Sequence, residues 1–423
     1  MTSRALTPHE YYRLPWSLTD NGLSWLEVTT KCNLACKGCY RDPHKDGHKS
    51  LEEIGRDLEV FAAKRKSDSM SIAGGDPLVH PDIVEIVRMI RTRGWKPVLN
   101  TNGLALTPEL LHDLKKAGVY GFTFHVDTTQ KRKDNLDAVF ERDHNVLRQK
   151  FAEMVAAEGG IGCSFNQTVS EKTLDQVPDV VRWGIQRPDL VHTMVFILYR
   201  EPSMAQRMGL AFFANGREID MGVSYNDTDF CGGRPLKAQD VVDQIRTVVP
   251  EFEPSAYLNG TVDPDSMKWL MGIRLADGEE TFGHVSGRYM ETVQNVSHLF
   301  RDRWLSYVSP SLLSLGRSSM ALFSPVDRSM RRALGRYVSA SVKSPGHLLR
   351  KVQMQTFTII QAVDFGEDGS MNMCDGCPDI TVHDGKLYWS CRLEEIKEHG
   401  QFVSCYPKAR AAEARAALPT VDC

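Results

Sequence analysis

The chain has 423 residues, of which 42% are hydrophobic and 25% charged, with a formal net charge of −3. That balance is ordinary for a globular protein, excludes extended disorder and lacks the basic excess of a general nucleic-acid binder. No run reaches the roughly 18 apolar residues of a membrane span. The opening residues lack the apolar core of a signal peptide, so a cytoplasmic location is expected.

Residues 1–22 read as a leading segment. From 23 to 205 short apolar runs alternate with longer amphipathic ones. Strands are expected over 25–30, 69–73, 96–100, 121–127, 160–168 and 191–198, and helices over 51–62, 81–93, 108–117 and 136–157. Ser50 ahead of Leu51-Glu-Glu-Ile is a helix N-cap with acid in the first turn. Six such alternations predict parallel strands with crossover helices, an α/β fold. Periodicity alone leaves a full barrel, a partial barrel and an open sheet as alternatives. In all three, chemistry gathers at the C-terminal ends of the strands. Polar residues gather there: Thr29-Thr30-Lys31 and three cysteines after the first strand, Gly74-Gly75-Asp76-Pro77 after the second, Asn100-Thr101-Asn102-Gly103 after the third, and His125-Val126-Asp127-Thr128 after the fourth. Ser164, Asn166 and Thr168 lie on the fifth.

The alternation then stops. Residues 206–355 read as a helical, partly basic insert, with one helix over 235–250 and weak periodicity over 251–296. Within 297–353 ten Lys and Arg face two Asp, a balance of +8 that leaves −11 for the rest of the chain. Three readings fit: a surface for peripheral membrane contact, a groove for an acidic peptide or carrier, or core-packing helices with a solvated basic face. Residues 356–423 begin as a strand and end in cysteines.

The ten cysteines are clustered, and in a reducing compartment clustered thiols hold metal or do redox chemistry more often than they pair. Cys32, Cys36 and Cys39 have the spacing C-x3-C-x2-C, which suits three irons of a [4Fe–4S] cube and leaves one iron open. With Tyr40 after the third cysteine and Gly74-Gly75-Asp76-Pro77 after the second strand, residues 22–200 resemble the radical S-adenosylmethionine (SAM) superfamily. The resemblance implies a partial (β/α)6 TIM-like barrel, with Cys32, Cys36 and Cys39 as cluster ligands. It further implies SAM chelated by the open iron and cleaved by one electron from the cluster. The resulting 5′-deoxyadenosyl radical abstracts hydrogen from substrate. It assigns cofactor contacts to Tyr40, Gly74, Gly75, Asp76, Asn102, Asp127 and Asn166, with the glycines leaving room beside the SAM amino group. Asp76 replaces the Glu common in the family's Gly-Gly-Glu-Pro form, and Gly38 stands where many members have an aromatic residue. His125 is either a catalytic group or a satisfied strand-end histidine. The reductant implied is a flavodoxin or ferredoxin.

Cys374-Asp-Gly-Cys377 forms a second knuckle, followed by Cys391 and Cys405 at equal intervals. A hairpin is expected over 382–389, returning the chain to Cys391. By resemblance this C-terminal α+β extension carries an auxiliary [4Fe–4S] cluster ligated by Cys374, Cys377, Cys391 and Cys405, with Cys231 as an alternative fourth ligand. A zinc ribbon is the competing reading, while Cys163 reads as a buried thiol and Cys423 as free. The function expected is hydrogen abstraction from an unactivated C–H bond of a lipid, peptide or natural-product intermediate, leading to cross-link formation or oxidation. The alternative is a zinc-stabilised scaffold or adaptor without enzymatic activity. Cobalamin-dependent methyl transfer is not expected, since residues 1–22 are too short for a cobalamin-binding domain ahead of the barrel region.

Overall fold

The computed structural model describes residues 4–36, 39, 47–130, 132–199, 209–221, 235–278, 280–361 and 363–408. Tyr40, Cys231 and Cys423 lie outside them. In chain order the strands are β1 (Tyr12–Arg13), β2 (Leu23–Thr29), β3 (Ser69–Gly74), β4 (Lys96–Thr101), β5 (Gly121–His125), β6 (Gly162–Val169), β7 (Thr193–Leu198), β8 (Leu210–Ala214) and β9 (Arg217–Ile219). They continue with β10 (Ala256–Asn259), β11 (Met267–Asp277), β12 (Glu280–His284), β13 (Gln353–Ile360), β14 (Asp364–Phe365), β15 (Met371–Asn372), β16 (Ile380–His383), β17 (Lys386–Trp389) and β18 (Ser404–Pro407). The main sheet runs β1-β10-β11-β13-β7-β6-β5-β4-β3-β2, with β12 beside β11. The fold is therefore mixed α/β around a parallel sheet, and the six expected parallel strands, β2 to β7, stand in sequence order.

Helices α1 (Leu51–Lys64), α2 (Ile83–Thr92), α3 (Pro108–Ala117), α4 (Asn145–Glu158) and α5 (Val177–Ile185) join these strands. Local chemistry sets their ends. Ser50 and Glu53 form a capping box on α1, while α3 starts on a Thr107 cap with Pro108 and stops at Gly118 in a left-handed conformation. The helices bury one face against one face of the strands: Leu26, Met70, Ile72, Leu99, Phe122, Phe124 and Phe165 belong to this single core with Ile54, Ile86 and Leu114. The alternate residues of each strand point the other way, and there β6 and β7 alternate between buried and part-exposed positions.

Two expectations need correction. Helix α4 begins at Asn145 rather than near 136, because Glu141 turns inward to accept hydrogen bonds from Thr128 N and Oγ1 at 2.9 and 2.7 Å. The 206–355 region is not purely a helical insert. It supplies β8 to β12, of which β10 and β11 extend the main sheet, with β11 antiparallel to β13. The weak periodicity has a cause: Lys268 and Arg274 lie fully buried within β11. Arg274 donates to Thr281 Oγ1 (2.6 Å) and Gln355 Oε1 (3.1 Å), so charge sits where an apolar residue would mark the inner face.

The remaining helices are α6 (Ala238–Val248), α7 (Gly287–Arg301), α8 (Pro310–Leu313), α9 (Gly316–Phe323), α10 (Arg328–Lys343) and α11 (Leu393–His399). A second core joins α7, α9 and α10 to β10–β12 through Tyr289, Met320, Met330, Ala333 and Phe282. The stretch 301–309 closes the N-terminal ends of β3 and β4. Arg301 pairs with Asp68 (2.9 Å), Arg303 donates to Ser67 O (2.9 Å) and Lys96 Nζ donates to Tyr307 O (2.7 Å). No helix among the described residues is long and apolar enough to cross a membrane.

Candidate functional site

The first cysteine loop leaves β2 at Thr29, whose hydroxyl accepts from Lys31 N (3.0 Å) and meets His48 Nδ1 (2.9 Å). Cys32 Sγ accepts from Leu34 N (3.5 Å) and Asn102 Nδ2 (3.8 Å). Burial, followed by the neighbouring Asp76 and Cys39, raises the Cys32 thiol above its ordinary range. Burial, followed by Cys39, Asp127 and Cys32, raises Cys36 further, with Arg132 opposing. Cys39 thus acts on both other thiols of the loop.

The Gly-Gly turn after β3 lies against this loop. Gly75 N donates to Thr29 O (2.7 Å) and Asp76 N to Lys31 O (2.9 Å). A Cβ on Gly74, at φ +119°, would fall 2.1 Å from Thr29 O, and one on Gly75 would fall 2.1 Å from Lys31 O. The glycines are thus required by the close approach of two backbones. Asp76 is held inside the turn. It is 1% exposed and accepts from Leu78 N, Thr101 Oγ1 and Asn102 N at 2.8–2.9 Å. It ties the turn to the end of β4. Asn102 continues the tie to the cysteine loop through Asn33 Oδ1 (2.7 Å).

The inner face of the sheet carries Asn100, Thr123, His125, Ser164, Asn166 and Thr168, brought level by the parallel register Asn100↔Thr123↔Ser164 and His125↔Asn166. Asn100 Nδ2 and Asn166 Oδ1 are buried without a hydrogen-bond partner, a costly arrangement unless a polar ligand completes it. His125 Nε2 lies 2.6 Å from Asp127 Oδ2 and 3.0 Å from Thr168 Oγ1. Asp127 is fully buried and also accepts from Thr129 N, Thr129 Oγ1 and Thr168 N, so it holds His125 and presents no surface to a cofactor. Burial alone would raise its carboxyl. The His125 charge and these hydrogen bonds prevail and hold it well below the usual range. For His125 burial pulls down, but Asp127 prevails and raises it.

Three supports were not apparent from motif reading. Arg132, 2% exposed, donates to Asn102 O (2.8 Å) and clasps Asp134 through two bonds of 2.9 Å. It brings a buried cation towards Cys36. Glu141 and Arg148 form a fully buried pair at 2.7 Å that anchors Thr128 and Val126 O. Tyr307 enters from the far end of the sheet and turns its phenol towards Thr123 and Ser71. A long loop after β5 with interleaved Thr, Arg and Glu was the only available signal for the first two. Tyr307 is remote in sequence and had none.

At the second cysteine group, Gly376 has φ +67° and its Cβ would strike Trp16 O at 2.0 Å. The N-terminal segment therefore seats this knuckle rather than merely leading into the fold. Asn21 Nδ2 donates to Gly376 O (2.9 Å), and Arg65 donates to Cys377 O (3.0 Å). A hydrogen bond with Cys377 and the nearby Lys268 lower the Cys374 thiol despite burial. The same bond, then burial, then Cys374 and Cys391 nearby, raises Cys377. Burial brings Lys268 down to about 8, against the pull of Cys374 and Cys391, and its ammonium also meets Asp364. The expected hairpin is present as β16 and β17, with a two-residue turn at Asp384 and Gly385, both at positive φ. Cys405 is not gathered with the other three. It packs on β18 among Leu210, Phe212, Met221 and Val403, and only burial moves its thiol, up to about 11. Cys163 is a buried core thiol, as expected.

Among the described residues no three His, Cys, Asp or Glu side chains converge on one coordination point. The test of fit therefore rests on donor chemistry. Cys32, Cys36 and Cys39, beside a glycine cradle and unpartnered inner-face amides, suit an iron–sulfur cube with a polar ligand. Residues 26–184 match the family described as the Radical SAM superfamily.

Through these residues the chain carries a radical SAM domain. A probable GTP 3′,8-cyclase of Pyrococcus abyssi is 33% identical over 29% of this chain and 40% of its own length. An AdoMet-dependent heme synthase of Methanosarcina barkeri is 29% identical over 37% and 44%. The Pyrococcus furiosus cofactor-modifying protein for a tungsten-containing aldehyde ferredoxin oxidoreductase is 27% identical over 38% and 47%. The matched region spans less than half of each of these relatives. The solved structure of Streptococcus suis SuiB bound to precursor peptide SuiA matches with a TM-score of 0.35 and 19% identity over 43% of this chain and 40% of that one.

Proposed function

We propose that this chain is a radical SAM enzyme that abstracts hydrogen from an unactivated C–H bond of a lipid, peptide or natural-product intermediate, for cross-link formation or oxidation. The observation that carries the reading is the cysteine loop held against the Gly74-Gly75 turn at the rim of a polar inner sheet face. Cys32, Cys36 and Cys39 would hold a [4Fe–4S] cube. With SAM bound, that centre supplies one-electron cleavage to a 5′-deoxyadenosyl radical. The chain's own residues do the rest. Asn102 and Asp76 fix the loop to β4, Asn166 offers an unpartnered amide oxygen to a polar ligand, and Asp127 raises the pKa of His125 and holds it beside Thr168. The helix-covered face excludes water from the strands behind them.

The second centre in this reading is an auxiliary [4Fe–4S] cluster on Cys374, Cys377 and Cys391, with Lys268 offsetting thiolate charge. Cys405 is not part of it. A cytoplasmic flavodoxin or ferredoxin would deliver the electron. The relatives' names differ in substrate, so none is transferred. The test uses protein reconstituted without oxygen. About eight irons per chain, falling to about four in a Cys32/Cys36/Cys39→Ala variant, are expected. Only the wild type should form 5′-deoxyadenosine with SAM and dithionite. Zinc in place of iron and no 5′-deoxyadenosine would replace this reading with a scaffold.

A further inference from the structure

Seventeen large apolar side chains are exposed among the described residues, and eleven of them fall between 296 and 349. They include Leu322 at 75%, Val342 at 78% and Leu349 at 91% exposure. Scattered exposed apolar residues need no explanation, but a concentration of this kind does. The fold brings several of them together. Arg317 donates to Leu348 O (3.1 Å) and Arg350 O (2.6 Å), and Gly316 N donates to Val352 O (3.0 Å). The start of α9, with Leu315, therefore lies beside Leu348 and Leu349. The α10 end, with Val342, runs into the turn that carries them, and Tyr337 Oη donates to His347 O (3.4 Å).

Charge follows the same lobe. Arg301, Arg303, Arg331 and Arg336 are engaged by Asp68, Ser67 O, Ser324 O and Glu251 respectively. No acidic partner is seen among the described residues for Arg328, Arg332, Lys343, Arg350 or Lys351. The two acids of the segment are both occupied: Asp327 caps α10 through Ser329 N and Met330 N, and Asp302 pairs with Lys66. Exposed apolar residues thus alternate with bases, and the acid beside the turn, Asp277, is buried and pairs with His347 (2.6 Å). Val342 precedes Lys343, and Leu349 precedes Arg350 and Lys351.

We infer that the lobe formed by α9, α10 and the 345–350 turn docks onto an anionic lipid bilayer. Leu348, Leu349 and Val342 would enter the interface, and Lys343, Arg350 and Lys351 would reach the headgroups. The stretch 301–309, which also carries arginines, is excluded because it closes the sheet end. A second copy of the same face would bring like charge against like charge. The inference is independent of the radical chemistry.

Flotation of the full chain tests it. Vesicles of phosphatidylcholine with about one third phosphatidylglycerol should carry the protein at low salt, and pure phosphatidylcholine vesicles should not. Leu348→Ser/Leu349→Ser should lower the bound fraction about fivefold or more, and Lys343→Gln/Arg350→Gln/Lys351→Gln should do likewise. Leu136→Ser/Val139→Ser, exposed elsewhere, should have no effect. Circular dichroism of each variant monitors folding. Equal binding to both vesicle types, no binding to either, or a wild-type dimer that the leucine substitutions dissociate would overturn the inference.

Discussion

Asp127 accepts hydrogen bonds from Thr129 and Thr168 and holds His125 at 2.6 Å, so its effect on chemistry passes through the imidazole. In Asp127→Asn, burial is largely unopposed and His125 should titrate below its ordinary 6.5 rather than above it. Imidazole NMR on wild type and variant measures this. The sign of the linkage is fixed for each partner. Depressed Asp127 stabilises above its ordinary 3.8 and loses that contribution as pH falls through its folded value. Raised His125 stabilises below 6.5 and loses its contribution as pH rises through its folded value. The stability difference between wild type and Asp127→Asn should therefore be greatest between those two ordinary values and shrink on either side. At Gly75 the constraint is steric. A methyl group 2.1 Å from Lys31 O must move the cysteine loop, so Gly75→Ala should lower 5′-deoxyadenosine formation about tenfold or more, with an unchanged far-ultraviolet spectrum. Retained activity would show that the loop adapts.

At the scale of elements, the loop from β5 to α4 is held by the Glu141–Arg148 pair, with both side chains fully buried. Glu141→Gln leaves Arg148 with a buried charge and no carboxylate, and should cost about 3–5 kcal/mol, read by denaturant titration. A loss below the usual surface-pair range would mean that the loop, rather than the pair, carries the stability. The C-terminal cysteines divide between two elements. Cys374 and Cys377 form the knuckle seated on residues 16–21, whereas Cys405 lies on β18 against β8. Cys405→Ala should leave iron content unchanged, and Cys374→Ala and Cys391→Ala should each lower it by about four per chain. Iron loss in Cys405→Ala would return that residue to the ligand set.

Across the whole molecule, the parallel sheet has its two ends closed differently. The cysteine loop and Gly-Gly turn cover the C-terminal ends of β2 and β3, and residues 301–309 cover the N-terminal ends of β3 and β4. Asp68 is the pivot of that floor: 1% exposed, it meets Lys96 at 2.6 Å and Arg301 at 2.9 Å. Asp68→Asn should lower stability by about 3 kcal/mol or more and speed proteolysis within 301–309. The first cysteine cluster lies at the other end and should still reconstitute. Loss of that cluster would mean that the two ends are coupled through Tyr307 and the inner face.

What was legible in the sequence was local. The six parallel strands, the α1 cap, the C-x3-C-x2-C loop and the Asp384-Gly385 hairpin each depend on residues close in the chain, so their periodicity and turn chemistry are readable there. What only the tertiary structure decided depended on distant partners. Lys268 and Arg274 made β11 unreadable as a strand because the groups that pair with Lys268 and accept from Arg274 lie elsewhere in the chain, on Asp364, Thr281 and Gln355. Asp76 and Asp127 were assigned by resemblance alone, and their partners across the strands, Thr101, Asn102 and Thr168, appear only in the fold. The even spacing of Cys391 and Cys405 suggested one ligand set. Sequence interval does not fix distance once β18 pairs with β8, and the chain carries Cys405 into an apolar cluster instead.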